Sequence, residues 1–363
     1  MTLTISNVFD ANFYRAANSD LSSFNDAQAL SHFQTYGINE GRLFSPLINL
    51  NFYRSSNPDL ANFNNSQLLN HLENYGIAEG RNFSEIVSLG YYRTNNTDLS
   101  SFNNEQLFNH LKDYGISEGR YFSSIFYLFS YKSFNSDLAS LNNSQLLNHF
   151  QINGINEGRK FIPYFEFDYY RANNKDLASL SNRQLLDHFE VYGINEGRKS
   201  SSSFDAGYYK ANNPDLNFLK GVSLVEHFDF YGFGEGRKGT NDYGGNTLNT
   251  ASKLAINPSF IQQLENVGPS DAYDYYRFDL NQSSTVNISA YSVFNSVLEE
   301  VLDSKGGAVA LPRSTAVFNR GTGIVGDTAL KINLSPGTYY IRFQPQAGNT
   351  NYSLLISATP NNN

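Results

Sequence analysis

The sequence predicts a multidomain α + β chain: an α-helical tandem-repeat array of six 39-residue units, followed by an antiparallel, jelly-roll-like β-sandwich. Three observations carry that prediction. All six histidines, His32, His71, His110, His149, His188 and His227, stand 39 residues apart. Each unit contains two stretches with helical spacing of apolar residues and helix start and stop signals. Beyond residue 247 the apolar period falls to two.

The repeats come first in the chain and span residues 1–238, with units at about 8–43, 44–82, 83–121, 122–160, 161–199 and 200–238. The same step links Tyr14 through Tyr209, Asn18 through Asn213, and the Asp-Leu pairs that begin with Asp20. Each unit closes with Gly, two residues and Glu-Gly-Arg. The first helix of a unit has an entry signal: Asp10 is placed to cap it, and Phe9 to pack on Tyr14 four residues past the cap. Asn49, Ser88 and Asp205 suit the cap position, whereas Tyr127 does not. The helix is expected to end near Asn57-Pro58, because a residue before proline is pushed out of the α region. The second helix starts at Asn-rich caps such as Asn64-Asn65. Leu68, His71, Leu72 and Tyr75 fall on one face of it. Gly76 is expected to end it as a left-handed C′ residue. One such helix pair cannot bury its own apolar face, whereas six in tandem can bury theirs against their neighbours.

Residues 239–247 read as a linker, 248–358 as the sandwich and 359–363 as a tail. Tyr276, Phe278 and Leu280 alternate with polar residues, as do Val286 and Ile288, and Tyr339, Ile341 and Phe343; Tyr352, Leu354 and Ile356 close the pattern. Short alternating runs bounded by Gly, Pro, Asn and Ser are the mark of half-buried antiparallel strands. Ser335-Pro336-Gly337 reads as a turn, with Pro at i+1 and Gly at i+2.

The combination Asn-Pro-Asp-Leu, His-Phe and Glu-Gly-Arg, spread over residues 8–238, resembles a helical repeat of bacterial secreted proteins. That repeat is frequent in cyanobacteria and often accompanies calcium-binding modules. The later segment resembles the bacterial pre-peptidase C-terminal domain, through Gly245-Asn246-Thr247-Leu248, Asp274-Tyr275-Tyr276-Arg277-Phe278, Leu302-Asp303-Ser304-Lys305-Gly306 and above all Ser335-Pro336-Gly337-Thr338-Tyr339-Tyr340. That resemblance implies a non-catalytic sandwich tied to export or to binding a substrate or surface. No peptidase precedes it here, so no protease activity follows, and Val293–Glu300 is more acidic than the usual pattern.

Composition narrows the function further. The net charge is −8; the repeats hold 19 basic and 25 acidic residues, and the part after residue 239 holds 7 and 9. Without a basic patch, a nucleic-acid partner is not expected. Absence of cysteine excludes disulfides and thiol chemistry. No apolar run approaches the roughly 18 residues of a membrane span, and Met1–Asp10 shows no cleavable signal peptide. Charged residues make up only 17% and aromatics 15%, so the surface is expected to be neutral and hydrogen-bonding.

The histidines invite a metal reading, but repeat layers lie on the order of 10 Å apart while Zn–N bonds are about 2.1 Å. They are read instead as core residues bonded to backbone or carboxylate. The aspartates Asp20, Asp59, Asp98, Asp137, Asp176 and Asp215 recur with the arginines Arg42, Arg81, Arg120, Arg159, Arg198 and Arg237. Six copies of one carboxylate–guanidinium set fit a structural lock better than an active site, which needs one asymmetric centre. Gly321–Gly326 matches a dinucleotide pattern, but a strand rather than a helix follows it. Asp242, Asp271 and Asp274 are the candidate ligands for Ca²⁺, the one cofactor considered.

The reading is therefore a non-catalytic interaction protein, extracellular or at the cell surface, binding a protein or polysaccharide. The first alternative is an accessory or export module for a separately encoded secreted hydrolase. The second is an enzyme, which would need a departure from the repeat that creates an asymmetric pocket. The departures noted are Asn153 in place of the recurrent Tyr, and Gly221 and Phe233-Gly234 in the sixth unit.

Overall fold

A computed structural model describes residues 4–361 except 163, 202–203, 233–234, 236, 241–243, 255, 257–260, 269–270, 294–295, 320–322, 326–328 and 349. The chain divides into two units, Met1–Glu196 and Gly197–Asn363. The first holds five repeats; the second holds the sixth repeat and the β region.

Each repeat is a short helix, a 3₁₀ turn and a second helix. In the second repeat these are Leu50–Ser56, Pro58–Leu60 and Asn65–His71. The first helix begins where a side chain satisfies its free N–H groups. Asp10 accepts from Phe13 N, Asn49 from Phe52 N, Ser88 from Tyr91 N and Asp205 from Tyr208 N. Tyr127 makes no such bond. Phe9 packs on Tyr14 with ring centroids 5.3 Å apart. The second helix starts with a reciprocal cap, Asn64 accepting from Gln67 N while the Gln67 side chain accepts from Asn64 N.

The expected helix stop at Gly76 is corrected. Gly76 belongs to a wide π-helical turn, Leu72–Gly76, that continues the second helix. The left-handed residue is Gly80, of Glu-Gly-Arg, at φ 71°. Gly76 serves a different need: a β-carbon there would lie 2.1 Å from the hydroxyl oxygen of Tyr53. The wide turn also moves Tyr75 off the apolar face, since a π turn advances fewer degrees per residue than an α turn. Leu68 and Leu72 are fully buried, but Tyr75 is 57% exposed.

Successive repeats of the first unit complete one another's cores. Phe33 stacks on Phe44 at 4.6 Å, and Phe150 meets Phe161 at 4.9 Å. Backbone bonds cross the first three junctions: Asp10 N to Phe44 O, Asn49 N to Phe83 O and Ser88 N to Phe122 O. Asn65 adds a side-chain tie, donating to Ile38 O while accepting from Arg54. Contacts also skip a repeat, with Lys112 Nζ donating to Asn7 O.

The β region has two sheets. One runs in the order β1 (Ser252–Lys253), β3 (Asp274–Leu280), β10 (Gly337–Pro345), β5 (Val297–Leu302) and β6 (Arg313–Ser314). The other runs β2 (Ile261–Val267), β11 (Thr350–Pro360), β4 (Ser284–Val293), β7 (Ala316–Asn319) and β8 (Gly323–Val325), with β9 (Ala329–Leu334) also paired to β4. Pairing is antiparallel except β1 with β3 and β4 with β7. The alternating residues form the core: Tyr276, Phe278, Val286, Ile288, Ile341, Phe343, Tyr352, Leu354 and Ile356 are all fully buried. Tyr339 lies at its margin. Gly337 is the first residue of β10, opposite Leu280, rather than the inner residue of a turn. Of the expected linker, Gly239 O accepts from Asp205 N and Gly245 pairs with Tyr275.

Candidate functional site

The recurring chemistry of a repeat gathers around its histidine. Tyr53, fully buried on the first helix, shares a 2.7 Å hydrogen bond with His71 Nδ1 on the second. The partner is thus a phenol, where backbone or carboxylate was expected. The same bond joins Tyr14 to His32, Tyr92 to His110, Tyr131 to His149, Tyr170 to His188 and Tyr209 to His227, at 2.8–3.0 Å. Burial pushes the phenols of Tyr14, Tyr53, Tyr92, Tyr131 and Tyr209 upward, Tyr14 to about 12, so these five stay protonated. Burial also lowers the pKa of His227.

Five of the six imidazoles support an exposed aromatic ring. Tyr36 lies against His32, Tyr75 against His71, Tyr114 against His110, Tyr192 against His188 and Tyr231 against His227, at 5.5–5.6 Å between centroids. These five tyrosines are 49–62% exposed. Behind the imidazole, Phe24, Phe63 and Phe102 meet it edge-on in the first three repeats. The result is a fixed, half-open Tyr–His platform, absent only where Asn153 replaces the tyrosine.

Beside the platform lies an ion triad. Arg81 Nη1 donates to both oxygens of Asp59, at 2.8 and 2.6 Å, and Nε donates to Glu79 at 2.6 Å. Arg42, Arg120 and Arg159 hold Asp20, Asp98 and Asp137 in the same way, and Arg237 holds Asp215 through Nη1 and Nη2 together. The guanidinium holds each of these aspartates below the usual carboxylate range. Asp176 and Arg198 occupy the matching positions of the fifth repeat.

The structure gives the candidate calcium ligands other partners. Asp271 accepts from Lys238 Nζ at 2.5 Å, and buried Asp274 accepts from Tyr352 Oη at 2.6 Å. Asp242 lies outside the described residues. Among those described, no group of three or more His, Asp or Glu side chains is placed to hold a metal ion. Of the glycine-rich Gly321–Gly326, residues 323–325 form β8 and β9 follows; the others lie outside the described residues, as do Phe233 and Gly234. Gly221 replaces the capping Asn of the sixth repeat, at φ 54° and without a side-chain cap.

Sequence reasoning missed a second polar cluster, inside the first unit. Arg183 Nη1 donates to Glu85 Oε1 at 2.6 Å and to Gln151 Oε1 at 3.0 Å, and Nη2 to Gln151 O at 2.7 Å. A comparison of the units column by column would have flagged it, since Ala27, Ser66, Glu105, Ser144 and Val222 fill the Arg183 column. No described helix is long and apolar enough to cross a membrane.

No family model matches the chain. No curated protein matches it either. Solved structures similar to part of it include the pre-peptidase C-terminal domain of a collagenase from Bacillus anthracis, at 18% identity over 30% of this chain and 94% of that one, TM-score 0.22. The g-type lysozyme inhibitor PliG of Aeromonas hydrophila is similar at 13% identity over 30% and 94%, TM-score 0.22. A carbohydrate-binding module, CBM36, is similar at 14% identity over 26% and 78%, TM-score 0.19.

Proposed function

We propose that the chain is a non-catalytic binding protein, working outside the cell or at its surface, whose repeats present Tyr–His platforms to a polysaccharide. The observation that carries this reading is the set of five half-exposed tyrosines, each braced by a histidine that is itself fixed by a buried phenol. A sugar ring offers an apolar C–H face and equatorial hydroxyls. An exposed tyrosine ring supplies the matching flat surface and a polar tip. The neighbouring triad offers carboxylate acceptors on the same repeat. Because the ring is held beforehand, little side-chain entropy is lost on contact. One platform binds weakly, and repetition along a polymer raises the overall avidity.

The test is affinity electrophoresis and glycan-array binding of the full chain, with a reducing-end assay in parallel. Retention by a polysaccharide without release of products supports the proposal. Turnover of the polymer, or retention by none, counts against it.

A further inference from the structure

The second polar cluster departs from the repeat at several positions together. Glu85 is shut off from solvent; its second oxygen accepts from Asn49 Nδ2 at 3.2 Å. With Gln151 and Arg183 the network therefore ties the second, third, fourth and fifth repeats of the first unit together. One and two turns beyond Arg183 on its helix stand Asp187 and Glu190. In the fourth repeat these columns hold Asn148 and Gln151, which carry no charge. Asp187 Oδ1 and Glu190 Oε1 are buried with no hydrogen-bond partner among the described residues, although part of each side chain reaches solvent.

We infer that Glu85, Arg183, Asp187 and Glu190 form an acid-closed latch, which holds these repeats together while Asp187 and Glu190 are protonated and loosens them as those two carboxyls ionise. The charged groups facing Asp187 are Glu85 and Arg183; those facing Glu190 are Glu85 and Asp187. Asn49, which donates to Glu85, and Gln151, which accepts from Arg183, are neutral. Arg183 is already committed to Glu85, so it cannot neutralise two further carboxylates. Burial first, and then the charge of Glu85, raise Asp187 to about 8 against the pull of Arg183. Burial, Glu85 and Asp187 raise Glu190 well above the carboxylate range. The folded state thus binds these protons more tightly than the unfolded chain does. Their stabilising contribution is complete below the ordinary carboxyl pKa and declines as pH rises toward the folded-state values.

Hydrogen exchange of the full chain, corrected for intrinsic rates, tests the latch. Between about pH 6 and about pH 9, backbone protection around Glu85, Gln151 and Asp187 should fall on the order of tenfold, while the second helix of the first repeat holds steady. The double variant Asp187→Asn, Glu190→Gln restores the fourth repeat's residues and should hold protection level with pH. The inference is overturned if wild-type protection there changes no more than in the first repeat, a result that needs no variant. It is equally overturned if the double variant keeps the wild-type pH response.

Discussion

The hydroxyl oxygen of Tyr53 lies 2.1 Å from the place a β-carbon on Gly76 would occupy. A hydrogen bond to His71 fixes that hydroxyl, and the Tyr53 ring is fully buried. Neither side can yield cheaply. Gly76→Ala should therefore destabilise the chain by about 1–3 kcal/mol through overpacking. In Tyr53→Phe the oxygen is gone and the nearest ring atom is Cζ at 2.9 Å, so adding Gly76→Ala should cost less than it does in wild type, though not nothing. Calorimetry on the four members of this cycle measures the coupling. Strict additivity would mean that the close approach does not constrain Gly76.

The buried Glu85–Arg183 pair predicts an asymmetry between breaking it and replacing it. Arg183→Met leaves a carboxylate with 0% side-chain exposure and no cation, which should cost about 3–5 kcal/mol. Adding Glu85→Leu removes the stranded charge and should recover part of that loss. Chemical denaturation of both variants decides it, and a double variant weaker than the single would contradict the assignment.

The exposed triads predict behaviour at acid pH. Asp20, Asp59, Asp98, Asp137 and Asp215 are held below the ordinary carboxyl range by their arginines. Their contribution is present above the unfolded-state pKa and is lost as pH falls through the folded-state one. Arg81→Gln and Arg120→Gln together should flatten the loss of stability below about pH 4. Acid titration followed by circular dichroism reads this directly; an unchanged acid limb would remove the triads from the account.

Much of the repeat was legible because it rests on local rules. Phe9 and Tyr14 are set by staple spacing, Asp10 and Asn64 by capping, and Tyr276, Phe278 and Leu280 by alternation. Where the rule changed within a helix, the reading failed. The α period extended through Leu72–Gly76 put Tyr75 on the buried face, and the wide turn there turns it to solvent. Two glycines recur in every repeat, and spacing alone does not say which is left-handed and which lies under a tyrosine. Comparing columns marks Arg183 as a departure from the repeat, but Glu85 lies far from it in the chain, so the winding of the first unit is what shows the two to be partners.

The central claim is that the braced tyrosines are the binding surface. Full-length variants carrying Tyr36→Ala, then Tyr75→Ala, Tyr114→Ala and Tyr192→Ala in addition, should be compared for avidity toward the polysaccharide that retains wild type. The account predicts a stepwise fall of several-fold per tyrosine, with melting temperature nearly constant because these rings are half exposed. Wild-type avidity in the chain lacking all four would contradict it.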